Sequence, residues 1–312
     1  MTLTVRRLLF AILGLLASIQ LIWQRVGHFD VDIKAYAWPL ILFAIFMIGA
    51  MVYDRVRKDP SISSMLFGFG FVIIYAATLN IISYFGLTIA GPRIDDLLAS
   101  IDRHMGIYWP SLILFMAKHP TINIVLFYAY RLSVWQTVIL IAALGRKDKI
   151  GTVEQLCLAL VLCGIVTIGM WMVFPSFGAI TVYGLPGGVT SKIPISLGDS
   201  YAHELLELLK NGPGLISPLT VKGLVGFPSF HTAQAIIVAW YARRVGFLFY
   251  PFLVFNLLTI LSTPVQGGHH VVDVIGGVAV AALTIWLASR IAGRLAATKL
   301  QKETVSALAA AS

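Results

Sequence analysis

Gly226-Phe227-Pro228-Ser229-Phe230-His231 and, further on, Ser262-Thr263 followed after five residues by His269-His270-Val271-Val272-Asp273 lie at the edges of long apolar runs. Histidines and a carboxylate at a membrane boundary are costly and are read as functional. His269 and Asp273 stand four apart and therefore share one face of a helix. A carboxylate in that position holds the imidazole and sets its tautomer. Ser229 occupies the N-cap position of an apolar helical run, where free backbone N–H groups attract anions. Two histidines, an orienting carboxylate and an anion-binding helix start suit phosphoryl transfer through a histidine nucleophile.

Outward from these segments the chain is 58% hydrophobic and 12% charged. That composition excludes an ordinary soluble domain. Apolar runs of spanning length occur at about 8–24, 37–53, 65–90, 121–144, 153–174, 231–242, 246–262 and 270–289. The expectation is an all-α polytopic membrane protein of about eight spans. The short sixth run is expected to extend across Ala242-Arg243-Arg244, or to begin below the membrane surface. The stretch 107–118 is apolar but too short to cross, so it reads as re-entrant or interfacial. The first run follows Arg6-Arg7 without a small-x-small cleavage site and reads as a retained anchor. Residues 299–312 read as a frayed tail. Cys157 and Cys163 lie about 9 Å apart along one helix, too far to bridge, and read as packing residues.

Net charge is +9, but the basic residues sit in short loops without the aromatic interleaving of a nucleic-acid binder. Their distribution sets an orientation instead. With the N-terminus inside, 14 Lys or Arg fall in inside segments (among them Arg55, Lys58, Arg146, Lys147, Lys149, Arg243, Arg244, Lys299 and Lys302), against 8 in the longer outside loops. The positive-inside rule then predicts both termini inside and both histidine segments outside. Two outer segments have interfacial patterning. Residues 94–105 place Ile94, Leu97, Leu98, Ile101 and Met105 on one stripe, with Asp95, Asp96, Asp102 and Arg103 elsewhere. Residues 200–210 form the second. Both read as helices lying on the headgroups or admitting them.

Pro228-Ser229-Phe230-His231 and the Ser262-x6-His269-x3-Asp273 spacing resemble the second and third signature motifs of the type 2 phosphatidic acid phosphatase superfamily. His269-His270-Val271-Val272-Asp273-Val274-Ile275-Gly276-Gly277 more closely resembles its inositol phosphorylceramide synthase-like and sphingomyelin synthase-like branch. The resemblance implies a six-helix catalytic core over 65–290, preceded by two helices in 1–64 and followed by a cytoplasmic tail, 291–312. It also implies metal-independent chemistry without a cofactor, although the His231, His269, His270 and Asp273 set has the donors of a metal site. By resemblance His269 is the nucleophile, Asp273 its orienting carboxylate and His231 the general acid; from its helix-start position Ser229 is expected to give its backbone N–H or hydroxyl to a phosphate, and His270 to line the headgroup pocket. His270, three before Asp273, is the local competitor for the nucleophile's place. The substrate would be a membrane lipid: a phospholipid donor with a ceramide, diacylglycerol or polyprenol acceptor. An alternative is a lipid phosphate phosphatase acting on phosphatidate or polyprenyl diphosphate. A non-enzymatic transporter is the alternative of another class, but no half-repeat supports it.

Two departures matter. The place of the family's first motif reads Met172-Val173-Phe174-Pro175, and the third motif has Ser262-Thr263 where Ser-Arg is usual, so two phosphate-clamping arginines are absent. A cation must still balance the phosphate. Arg131, inside the fourth run with Tyr128 and Trp135 on its helix face, is the expected substitute, and Lys222 the fallback. The predicted topology has a direct check. Cysteines introduced at Lys192 and at Lys147 are expected to label from opposite sides of intact cells; labelling of both by an impermeant outside reagent contradicts it.

Overall fold

The computed structural model describes residues 4–311 except 146–150 and 199. Arg146, Lys147 and Lys149 of the charge count, and the side chains of Lys299 and Lys302, lie outside the described residues. The protein is all-helical. Its helices are α1 (Val5–Gly27), α2 (Ile33–Arg55), α3 (Pro60–Gly86), α4 (Asp95–His104), α5 (Trp109–Lys118), α6 (Pro120–Arg131), α7 (Ser133–Gly145), α8 (Thr152–Val173), α9 (Ile180–Tyr183), α10 (Tyr201–Asn211), α11 (Phe230–Ala242), α12 (Phe249–Gln266) and α13 (Val271–Ala311). Local chemistry marks the starts. Asp32 accepts from Ala35 N–H, and Asp59 accepts from Ser61 and Ile62 N–H with Pro60 next to it. The tail expected to fray continues as helix to Ala311.

Among the described residues, six helical stretches are long and apolar enough to cross a membrane, or seven if the bent pair α5–α6 counts as one span. The difference from eight apolar runs has two physical sources. The run 121–144 is interrupted at Leu132, so that α6 and α7, of 12 and 13 residues, are each short. The run Phe230–Gln266 counts once, although it folds back on itself. Its turn is a 3₁₀ segment, Arg243–Leu248, in which Gly246 takes φ 62°. The helix therefore stops at Ala242 instead of extending across Arg243-Arg244. Folding back is required because Ser229 N–H, before α11, donates 3.0 Å to the carbonyl of Asp273, after α12.

Side-chain pairs trace how α6 and α7 run. Asn123 meets Gln266, Ala129 meets Thr259 and Gln136 meets Asn256, descending α12. Tyr130 meets His231 and Thr137 meets Gln234, climbing α11. Thus α6 and α7 continue in one direction, antiparallel to α12 and parallel to α11. The apolar 107–118 stretch becomes α5, which meets α6 at 114°. Its buried Trp109 donates an indole N–H to Pro264 O at 2.8 Å. At the opposite end of the bundle, Arg6 Nε pairs with buried Glu154 at 2.6 Å, and Ser64 Oγ donates to the same carboxylate. Cys157 and Cys163 are buried free thiols in α8, packed as expected.

The Gly276-Gly277 pair has a packing cause. A Cβ on Gly277 would meet the carbonyl oxygen of Ser229 at 2.5 Å, and one on Gly276 would meet Phe227 and Pro228. Two adjacent bare positions in α13 thus let the two histidine segments touch. Gly277→Val is expected to cost about 1–3 kcal/mol through overpacking and to lower the thermal midpoint along with activity; a variant with an unchanged midpoint contradicts this account.

Candidate active site

The first segment enters α11 through a cis Phe227–Pro228 bond. Ser229 Oγ accepts from Thr232 N–H at 3.3 Å and caps the helix. The serine is fully buried and its own N–H is already bonded to Asp273 O. It acts as a cap and a tie between segments, so the N–H expected to bind phosphate is not free. The cap leaves His231 in the first turn. Its ring stacks on Tyr130 with centroids 4.5 Å apart and an interplanar angle of 28°. Tyr130 Oη lies 3.4 Å from His231 Nδ1.

The second segment closes around Asp273. Its Oδ2 lies 3.1 Å from His269 Nδ1 and accepts the backbone N–H of His270 at 2.9 Å. With Nδ1 turned to the carboxylate, His269 keeps Nε2 for chemistry. Both side chains are buried, with His269 4% exposed. Gly267 lies between His269 and the tyrosine that carries His231: an added Cβ there would meet His269 Cδ2 at 2.7 Å and Tyr130 Oη at 2.8 Å. His231 also lines a cavity of about 260 Å³ between α3, α7, α8 and α11. Asn80, Ser83, Thr137, Gln234 and Lys222 supply polar groups to its otherwise apolar wall. Lys222 Nζ is ion-paired with Glu204.

Two expected substrate contacts are placed elsewhere. His270 is fully buried between Asp95 and Asp102 and, like His269, does not line the cavity that His231 borders. Arg131 is on the exposed side of α6, its guanidinium 5.4 Å above the Phe127 ring. Tyr128 and Trp135 share that outward face, at 56% and 62% exposure. The reason is angular. Successive helical residues point about 100° apart, so with Tyr130 turned to His231 its neighbour must turn away. The histidine motifs do not point to Tyr130. Its signal was the spacing of Asn123, Tyr130 and Thr137, seven apart on one helical stripe. Ser262 and Thr263, the second standing where an arginine is usual, are buried and bond Thr259 O within α12. Among the described residues no group of three or more His, Cys, Asp or Glu side chains is arranged to hold a metal ion. The outward placement reverses the expectation for Arg131: Arg131→Ala is expected to keep turnover, and a loss approaching 10²-fold in a folded variant would restore it to the mechanism.

No curated protein and no solved structure matches the chain. The family model described as the PAP2 superfamily matches residues 96–287, more than half of the chain and a range that takes in both histidine segments, Tyr130 and α4 from its second residue. The chain belongs to the PAP2 superfamily.

Proposed function

We propose that this protein transfers a phosphate-linked headgroup between membrane lipids at the outer face, most like the inositol phosphorylceramide synthase-like branch. Membership of the superfamily supports a membrane lipid phosphatase or phosphotransferase. The observation that carries the finer reading is the His269–Asp273 pair on the same side of the bundle as His231, which itself lines a largely apolar cavity among helices long enough to span.

In this reading Asp273 accepts Nδ1–H of His269 and leaves the Nε2 lone pair free. Nε2 attacks phosphorus, and the bond from phosphorus to the lipid alcohol oxygen breaks. His231 gives its proton to that oxygen, and the headgroup phosphate rests on His269. In the second step His231 takes the proton of an acceptor hydroxyl. The new P–O bond forms as the P–N bond breaks, restoring His269. Tyr130, stacked on His231, keeps its ring in place for both transfers. A ceramide, diacylglycerol or polyprenol acceptor gives headgroup transfer, and water gives the phosphatase outcome on phosphatidate or polyprenyl diphosphate. Lys222 at the cavity wall and the first-turn N–H groups of α11 are the groups to meet the phosphate charge. With both termini inside, as the charge distribution predicts, both histidine segments lie on the outer side.

Purified full-length protein incubated with labelled phospholipid donors, with and without ceramide, diacylglycerol or polyprenol, tests the reaction when lipid products and free phosphate are both followed. His269→Ala is expected to abolish turnover and any acid-labile phosphoenzyme. His231→Ala is expected to slow departure of the alcohol while an activated substrate still forms some phosphoenzyme. Near-normal turnover in His269→Ala would remove it as nucleophile.

A further inference from the structure

The proposed reaction makes no use of the charges buried around His270. Helix α4 carries Asp95 and Asp102 seven residues apart, on one face two turns apart. The sequence pattern placed both away from the apolar stripe, yet they are 1% and 2% exposed, while Leu97 and Met105 face outward. His270, fully buried, sits between them. Its Nε2 is 3.7 Å from Asp95 Oδ1 and its Nδ1 3.7 Å from Asp102 Oδ2. These distances exceed a hydrogen bond, so the attraction is one of charge. The other charged or titratable groups near it are Asp273 and His269 from its own segment and Arg93, which pairs with Asp95 Oδ2 at 2.9 Å. The segment Ser176–Gly178 brings no charge. A neutral His270 would leave a cluster of buried carboxylates poorly compensated, an expensive arrangement. Burial works against the imidazolium, but Asp102 and Asp95 outweigh it and push the His270 pKa up to about 9. For Asp95 burial works upward, and His270 and Arg93 more than offset it, leaving its pKa below the usual value.

Asp102 holds the backbone after His269 directly, and Asp95 holds the loop that meets the backbone before it. Asp102 accepts Val271 N–H at 2.8 Å and Val272 N–H at 3.0 Å, while Asp273 takes His270 N–H. Asp95 Oδ1 accepts from Ser176 Oγ and from Phe177 and Gly178 N–H, each at 2.9 Å. Just beyond, Ile180 N–H donates to Gly268 O at 3.2 Å, immediately before His269. Gly268 has φ 64°, which favours glycine there.

We propose that Asp95, His270 and Asp102 form a charged clamp in which His270 is a positioning cation, drawing α4 onto the start of α13 and so setting the place of His269. The proposal rests on the reading of His269 as nucleophile. It takes His270 out of competition for that role, since a protonated imidazole has no free lone pair. When the charge is lost, the carboxylates of α4 have no cation between them and the start of α13 shifts. A displacement of about 1 Å costs on the order of 10²-fold in rate.

The folded-state pKa of His270 is raised above the ordinary 6.5, so the clamp is intact at neutral pH and fails as pH rises through about 9. The test uses the full-length protein in lipid nanodiscs with dioctanoyl phosphatidate as probe. Wild-type turnover is expected to fall through about pH 9. Asp102→Asn removes one carboxylate. It is expected to move that fall to lower pH and to reduce kcat, on the order of 10²-fold, with KM little changed. Nitrogen NMR of the histidine side chains, assigned with His270→Gln, is expected to show His270 as an imidazolium at pH 7.5. A neutral His270 at that pH, or an Asp102→Asn profile that does not move, overturns the clamp. Should Asp102→Asn not fold, the Asp102→Asn/His270→Gln double variant removes one charge of each sign. It is then expected to fold and to lose the alkaline fall; retention of the fall overturns the clamp. Full turnover of His269→Ala beside a cationic His270 would instead overturn the nucleophile reading, and the positioning role with it.

Discussion

Asp273 joins the two halves of the candidate site through two different chemistries. Its carboxylate holds His269 Nδ1 and the backbone of His270, and its main-chain carbonyl holds the N–H of Ser229. One residue therefore fixes the imidazole and ties the start of α13 to the start of α11. The rest of the architecture makes that contact possible. The reversal at Gly246 returns the chain to the same end of the bundle, and the bare face of Gly276-Gly277 lets the segments close to backbone contact. In a buried setting, an unpartnered main-chain N–H or carboxylate is a larger loss than the bond itself is a gain.

Much of this was legible in the chain. The apolar runs located the long helices, because a bilayer-length stretch without charge has few other uses. The His269–Asp273 spacing located the pair, because four residues make one helical turn. What could not be read was rotation. Arg131 is conspicuous as a cation within an apolar run, and hydropathy says only that it is costly, not which way it faces. Its direction is decided by Tyr130, whose ring has a partner 101 positions later. The same limit applied to α4. Periodicity separated its apolar stripe from its acids but did not show that the acids turn inward, because the N–H groups they satisfy belong to residues about 80 and 170 positions away.

The placement of Arg131 also changes the electrostatic demand on the site. A phosphate arriving at His269 does not meet a cationic wall from α6. The groups near it are a lysine already engaged with Glu204, the start of α11, and a His270 whose charge is already shared between Asp95 and Asp102. Such a site leans on backbone dipoles and on low polarity around the ester more than on a guanidinium fork.

The three amide and hydroxyl rungs between α12 and the α6–α7 rod have a mechanical consequence. Gln266, Thr259 and Asn256 are spread along α12, and each engages a different residue of the facing rod. In hydrocarbon no water replaces a broken rung. Sliding one helix past the other by a single turn, about 5.4 Å, would strand all three together. The seam therefore resists shear as a keyed shaft does. Lateral pressure from a thicker or thinner bilayer tilts the bundle as a unit, while Tyr130 and His231 keep their mutual register.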